Sequence, residues 1–180
     1  ELIAIPIFDE ENNVIQIIES HRDITHHLET ESALKELAST DKLTQTYNRN
    51  KFDEVLEKSF KLAKENLHYF GLIMFDIDHF KSVNDTYGHD AGDSVLIEIT
   101  DIVKKLIRKH DILVRWGGEE FIIYIPDSNN TALKQISENL RRSIEKYQFK
   151  YLENQLTSSF GATMLRADDT VESLIKRVDN

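Results

Sequence analysis

Residues 69–77 read Tyr-Phe-Gly-Leu-Ile-Met-Phe-Asp-Ile, a near-continuous apolar run that stops on a carboxylate. A run without polar alternation fits a strand covered on both faces. The chain therefore has to supply layers on each side of a sheet. The run also delivers Asp76 and Asp78 to the strand's end. Buried and unpaired, carboxylates there are costly. Either they emerge into solvent and begin a turn, or they bind something positive at the edge of the sheet.

The flanking pattern supplies the layers. Apolar periodicity predicts helices over 49–66, 93–109 and 130–146, and the start of a last one over 170–178. Residues 112–116 and 120–125 read as strands joined around Gly117-Gly118, a two-residue hairpin signal. Residues 156–165 read as a further strand. The order helix, strand, helix, hairpin, helix, strand, helix predicts an α/β sandwich with a mixed sheet, not a regular βαβ array. Ahead of it, 2–8 and 14–22 predict a β-hairpin around Asp9-Glu10-Glu11-Asn12-Asn13. Two strands alone are marginal, so the hairpin reads as the edge of a larger sheet. Residues 24–39 read as a connecting helix or a short coiled coil.

With 180 residues, 40% of them apolar, one domain and an appendage are expected. The formal net charge of -10 argues against a nucleic-acid partner. No apolar stretch approaches the ~20 residues of a membrane helix. The absence of cysteine excludes disulfides and thiolate metal sites and fits a cytoplasmic location. The first residue is not Met, and the last helix breaks off at Asn180, so both ends read as cut from something longer.

Glu119 and Glu120 follow Gly117-Gly118 directly. If that hairpin pairs beside the Asp76 strand, one glutamate comes close to Asp76. Like charges that close favour a cation between them. Oxygen ligands without cysteine point to Mg²⁺ or Mn²⁺, with water and substrate phosphate completing the shell. Glycine lets backbone approach that phosphate. Between the two acidic elements, Lys81, Asn84, His89 and Asp93 crowd one polar stretch, which otherwise reads as a loop and a helix start capped by Asp90 or Asp93.

Taken together, these segments resemble the GGDEF family of diguanylate cyclases. Asp41-Lys-Leu-Thr44 with Asn48-Arg49 is similar to the family's opening signature. Phe75 to Asp93 resembles its FDxDxFKxxND…GHxxGD stretch, and Arg115-Trp-Gly-Gly-Glu-Glu-Phe121 its name-giving loop. The resemblance covers residues 41–179. It implies a palm-like nucleotidyl-cyclase fold with a mixed, mainly antiparallel sheet. It also implies condensation of two GTP into cyclic di-GMP across a homodimer. Asp76, Glu119 and the Ile77 carbonyl would hold two Mg²⁺ or Mn²⁺ per active site, with Glu119 and Glu120 as the catalytic carboxylates. Asn84 and Asp93 map onto guanine contacts. Phe80, Lys81, His89, Gly117 and Gly118 map onto the nucleotide pocket. Lys81 and Arg115 could pair with phosphate or with structural acids.

Arg108 and Asp111 resemble the family's RxxD site, where product binds and inhibits. Asn139 stands where a second arginine is often found, with Arg141 and Arg142 just beyond. The family continues past Arg177-Val-Asp with elements supplying a phosphate-binding lysine and arginine, so an exposed sheet edge is expected here. Residues 1–22 with Asp23-Ile-Thr25 resemble the end of a PAS sensor domain. Residues 23–40 then form a signalling linker, and 41–180 the catalytic domain. Two other readings stay open: a non-catalytic receptor of the same fold, and an unrelated cyclase using ATP.

Overall fold

The computed structural model describes residues 2–21, 39–65 and 69–179, in two compact units divided after Ala38. The linker helix expected over 24–39 lies outside the described residues, except for Ser39. In the first unit, β1 (Leu2–Phe8) pairs antiparallel with β2 (Val14–His21). The turn forms because Asp9 Oδ1 accepts from the amides of Glu11 (2.9 Å) and Asn13 (2.8 Å), as a turn aspartate does. Ile5 and Ile18 lie opposite each other and Pro6 opposite Ile17, so both faces carry apolar residues. Ile5, Ile17 and Ile18 are exposed within this unit.

The second unit holds a sheet of order β3-β5-β6-β4-β7. Its strands are β3 (Tyr47–Asn48), β4 (Phe70–Ile77), β5 (Ile112–Gly117), β6 (Glu120–Pro126) and β7 (Ser158–Met164). Only β3–β5 is parallel, and β5–β6, β6–β4 and β4–β7 are antiparallel. The sheet is therefore mixed and mainly antiparallel, as expected. β4 lies between β6 and β7, and its apolar run is buried on both faces. Ile73, Phe75 and Ile77 pack with Val95, Ile99 and Val103 of α3 (His89–Leu106) and with Leu133, Leu140 and Ile144 of α4 (Asn130–Lys146). Phe70, Leu72 and Met74 pack on the other side with Phe52 and Leu56 of α1 (Arg49–Lys64) and Leu174 and Val178 of α5 (Val171–Val178). Each fully buried side chain of this size stabilises the fold by roughly 1.5–3 kcal/mol.

Three local expectations fail. The polar stretch is not a loop: α2 (Phe80–Tyr87) forms there, burying Phe80 and Val83. α3 starts at His89, not 93, and its N-cap is Gly88, with no side-chain capping bond. Neither Asp90 nor Asp93 is therefore a cap. The glycine hairpin is displaced by one residue. Gly117 pairs with Glu120, and a register shift between Arg115 and Gly117 leaves Gly118-Glu119 as the connecting pair. Gly118 alone needs the left-handed region, at φ 50°.

Candidate active site

The register of β4 builds the site. Asp76 stands opposite Glu120 on β6 and opposite Ser159 on β7, so the three side chains share one face. The displaced turn carries Glu119 at the hairpin tip beside them. Burial first, and then the charge of Glu119, pushes the Asp76 carboxyl above its ordinary range. Burial also raises Glu120, followed by the charges of Asp76, Asp179 and Glu119. Among the described residues no ion pair neutralises Asp76, Glu119 or Glu120. A cavity of about 340 Å³ opens on this face, lined by Asp76, Glu120, Ser159, Gly161, Val178 and Asp179.

Asp78 does something different from Asp76. Its oxygens accept from Thr157 Oγ1 (2.6 Å) and Ser159 Oγ (2.7 Å), and its amide donates to the Thr157 carbonyl. It clamps the end of β4 to β7 and leaves Asp76 as the open carboxylate. His79 follows in the left-handed region (φ 57°) and turns the chain into α2.

The hairpin tip is braced from outside the site. Arg115 Nε donates to the Gly118 carbonyl (2.9 Å), and Nη1 donates to Asp41 Oδ1 (3.1 Å). The same oxygen accepts from the Thr44 amide and Oγ1. Burial acts to raise Asp41, but these hydrogen bonds outweigh it and hold the carboxyl below its usual range. Asn48 caps α1 through the Lys51 amide, and the guanidinium of Arg49 lies 4.2 Å over the Trp116 ring. Trp116 in turn meets Phe52 edge-on. Of the two roles open to Arg115, the structural salt bridge is the one observed. Lys81 is exposed and makes no ion pair among the described residues.

The two helices pack together across Gly88, and Asn84 on α2 lies against Gly92, the residue before Asp93 on α3. Asp93 and His89 are exposed, while Phe80 is buried against the core. Arg108 and Asp111 are not part of this group. They flank a separate cavity of about 380 Å³ with Tyr47, Lys104 and Lys109, at the end of β5 away from Gly117. Asp111 is buried, with Oδ2 accepting from the Arg108 amide (2.7 Å) and Oδ1 left without a hydrogen-bond partner. Asn139 is exposed on α4, and Arg141 and Arg142 are both bonded to Glu138.

No group of three or more His, Cys, Asp or Glu side chains fit to hold a metal occurs among the described residues. An all-protein cage is thus not built here. Unneutralised carboxylates at a strand tip do suit Mg²⁺, which takes one or two carboxylates and fills its shell with water and phosphate. Among the described residues no helix is long and apolar enough to cross a membrane.

Sequence reasoning missed the roles of Asp41, Ser159 and Asp179. Each depends on which strands and helices become neighbours, and the local sequence carries no signal of that.

The family described as "Diguanylate cyclase, GGDEF domain" matches residues 38–180. Diguanylate cyclase A of Treponema denticola is 33% identical over 177 residues, covering 95% of this chain and 47% of that protein. Diguanylate cyclase VdcA of Vibrio cholerae is 37% identical over 144 residues, covering 77% and 41%. The chain therefore spans less than half the length of each of these curated relatives. Among solved structures, the coiled coil and GGDEF domain of DgcB from Caulobacter crescentus, in complex with c-di-GMP, superposes with a TM-score of 0.77. It is 26% identical, with 87% of this chain and 84% of that one covered. Diguanylate cyclase SiaD of Pseudomonas aeruginosa, in complex with its activator SiaC, gives a TM-score of 0.74 at 32% identity, with 86% and 60% covered. The chain belongs to the GGDEF domain family of diguanylate cyclases.

Proposed function

We propose that this chain condenses two GTP molecules into cyclic di-GMP with release of two pyrophosphates, working as a pair of domains that face each other. The observation that carries this reading is the unneutralised acidic tip, with Asp76 in register with Glu120 and Glu119 on the adjoining turn. In this reading Asp76, Glu119 and the Ile77 carbonyl would hold two Mg²⁺ or Mn²⁺, which would supply Lewis-acid polarisation of the α-phosphate and a lowered pKa for the attacking 3′-hydroxyl.

The protein's own part is orientation. Asp78 fixes the end of β4, and Arg115 fixes the turn that carries Glu119. Glu119, with Glu120 behind it, is the catalytic carboxylate. Gly117 and Gly118 let the backbone approach the phosphates, and Lys81 and His89 line the nucleotide pocket. Asn84 and Asp93 read the base. A carboxylate suits the adjacent N1–H and 2-amino donors of guanine and would be left unpaired by adenine, which supports GTP over ATP by a large factor, roughly 10⁴.

The cavity beside Arg108 and Asp111 supports a second role, feedback binding of the product, with Arg108 as the guanidinium available to it. Its position away from Asp76 separates inhibition from catalysis. The hairpin of residues 1–22 is read as the end of a PAS-type sensor domain, because its apolar faces call for a larger sheet. Residues 23–40 are then the linker that sets how two catalytic domains meet. GTP as substrate and the absence of cysteine fit a cytoplasmic domain.

The test is turnover of GTP and of ATP by the full-length protein with Mg²⁺, with products identified by mass. Cyclic di-GMP from GTP and no cyclic product from ATP are expected. Turnover of ATP alone would replace this reading with that of an adenine-nucleotide cyclase. Tight cyclic di-GMP binding without turnover would make the protein a receptor.

A further inference from the structure

Gly92, in the first turns of α3, is buried. A Cβ built there would fall well inside contact distance of Asn84 Oδ1, 3.1 Å from Asn84 Cγ and 3.3 Å from Phe80 Cζ. The carboxamide of Asn84 thus occupies a notch that exists only because residue 92 has no side chain. No other group among the described residues hydrogen-bonds that carboxamide. Packing against Gly92 and the Phe80 ring is what holds it.

We propose that Gly92 is a positioning residue for base recognition: it fixes the Asn84 carboxamide in the orientation that meets guanine. This rests on the reading of GTP as substrate. The colliding atom decides where the strain goes. It is the tip of a side chain, not backbone, so a methyl at 92 is relieved by rotating Asn84 rather than by displacing α3. The damage falls on the group that reads the base. Alanine is also the better helix former, so α3 itself is not weakened. Asp93, the next residue, is exposed and keeps its place on the helix.

The experiment uses the full-length protein and four forms: wild type, Gly92→Ala, Asn84→Ala and the double variant. GTP affinity is read by calorimetry and KM and kcat by turnover. Gly92→Ala is expected to raise Kd and KM roughly tenfold, the size of one lost hydrogen bond. Its kcat should stay within about twofold, since the lost contact is made equally in ground and transition states, and its melting temperature should not fall. The double variant should bind GTP no worse than Asn84→Ala alone. Wild-type GTP affinity in Gly92→Ala, or losses that multiply in the double variant, would overturn the inference. A wild-type protein that neither binds nor turns over GTP would instead overturn the substrate reading, and this inference with it.

Discussion

Arg115 reaches Asp41 Oδ1 at 3.1 Å while its Nε holds the Gly118 carbonyl, so one side chain ties the start of the second unit to the tip of its hairpin. The pair is three-quarters or more buried. Removing either partner strands the other, a cost of about 1–3 kcal/mol. Arg115→Lys should not rescue it, because an ammonium cannot serve two acceptors with a planar fork. Urea unfolding of Arg115→Ala and Arg115→Lys measures the loss, and equal stability of Arg115→Lys and wild type would contradict this account.

Asp169 and Arg177 close α5 onto the sheet. Arg177 donates to both Asp169 oxygens (2.6 Å each), to Thr163 Oγ1 and to the Met164 carbonyl. Hydrogen bonds from Arg177 hold the Asp169 carboxyl down, at about 2. A depressed carboxylate contributes stability that is present above the unfolded value of 3.8 and lost as pH falls through about 2. Asp169→Asn should cost about 2 kcal/mol at pH 7, and the difference from wild type should vanish at acid pH. Unfolding midpoints from pH 7 down to pH 2 check it.

Asp76 and Glu120 carry the opposite sign. Their carboxyls are raised, so the stability of the protonated forms is present below the unfolded values of 3.8 and 4.5. It is lost as pH rises through the folded values. Without divalent ions, Asp76→Asn and Glu120→Gln should each raise the melting temperature at pH 7 and leave it unchanged near pH 3. Adding Mg²⁺ should stabilise wild type more than Asp76→Asn. A melting temperature lowered by both substitutions at pH 7 would contradict the repulsion inferred here.

Much of this was legible in the chain. The apolar run of β4 announced a strand covered on both faces, and Leu133, Leu140 and Ile144 announced α4, because burial on a face imposes its own period. The acidic tip was readable as a strand end beside a glycine turn. α2 was not readable: eight residues with two buried side chains and no capping side chain leave hardly any period to detect. The hairpin shift was not readable either, since it comes from the irregularity at Trp116, which leans on Phe52 and Arg49. Asp78 looked equivalent to Asp76 until β7 brought Thr157 and Ser159 to it.

Arg108 is exposed, while Asp111 is buried and accepts the Arg108 amide. Substituting the two should therefore have different consequences. Arg108→Ala should relieve the product inhibition proposed for this cavity, with little change in stability. Asp111→Ala should lower stability by about 1–3 kcal/mol, because the partly buried Arg108 amide loses its acceptor. Turnover at rising cyclic di-GMP, beside thermal melting, separates the two.

In the proposed reaction Glu119, at the hairpin tip beside Asp76, works with a divalent ion on GTP. The most direct measurement is cyclic di-GMP formation by the full-length protein carrying Glu119→Gln, at saturating GTP and Mg²⁺. A fall of at least 10²–10³-fold, on the order of losing one charge-stabilising group, with the melting temperature kept or raised, is the expected result. Wild-type turnover by Glu119→Gln would contradict the account.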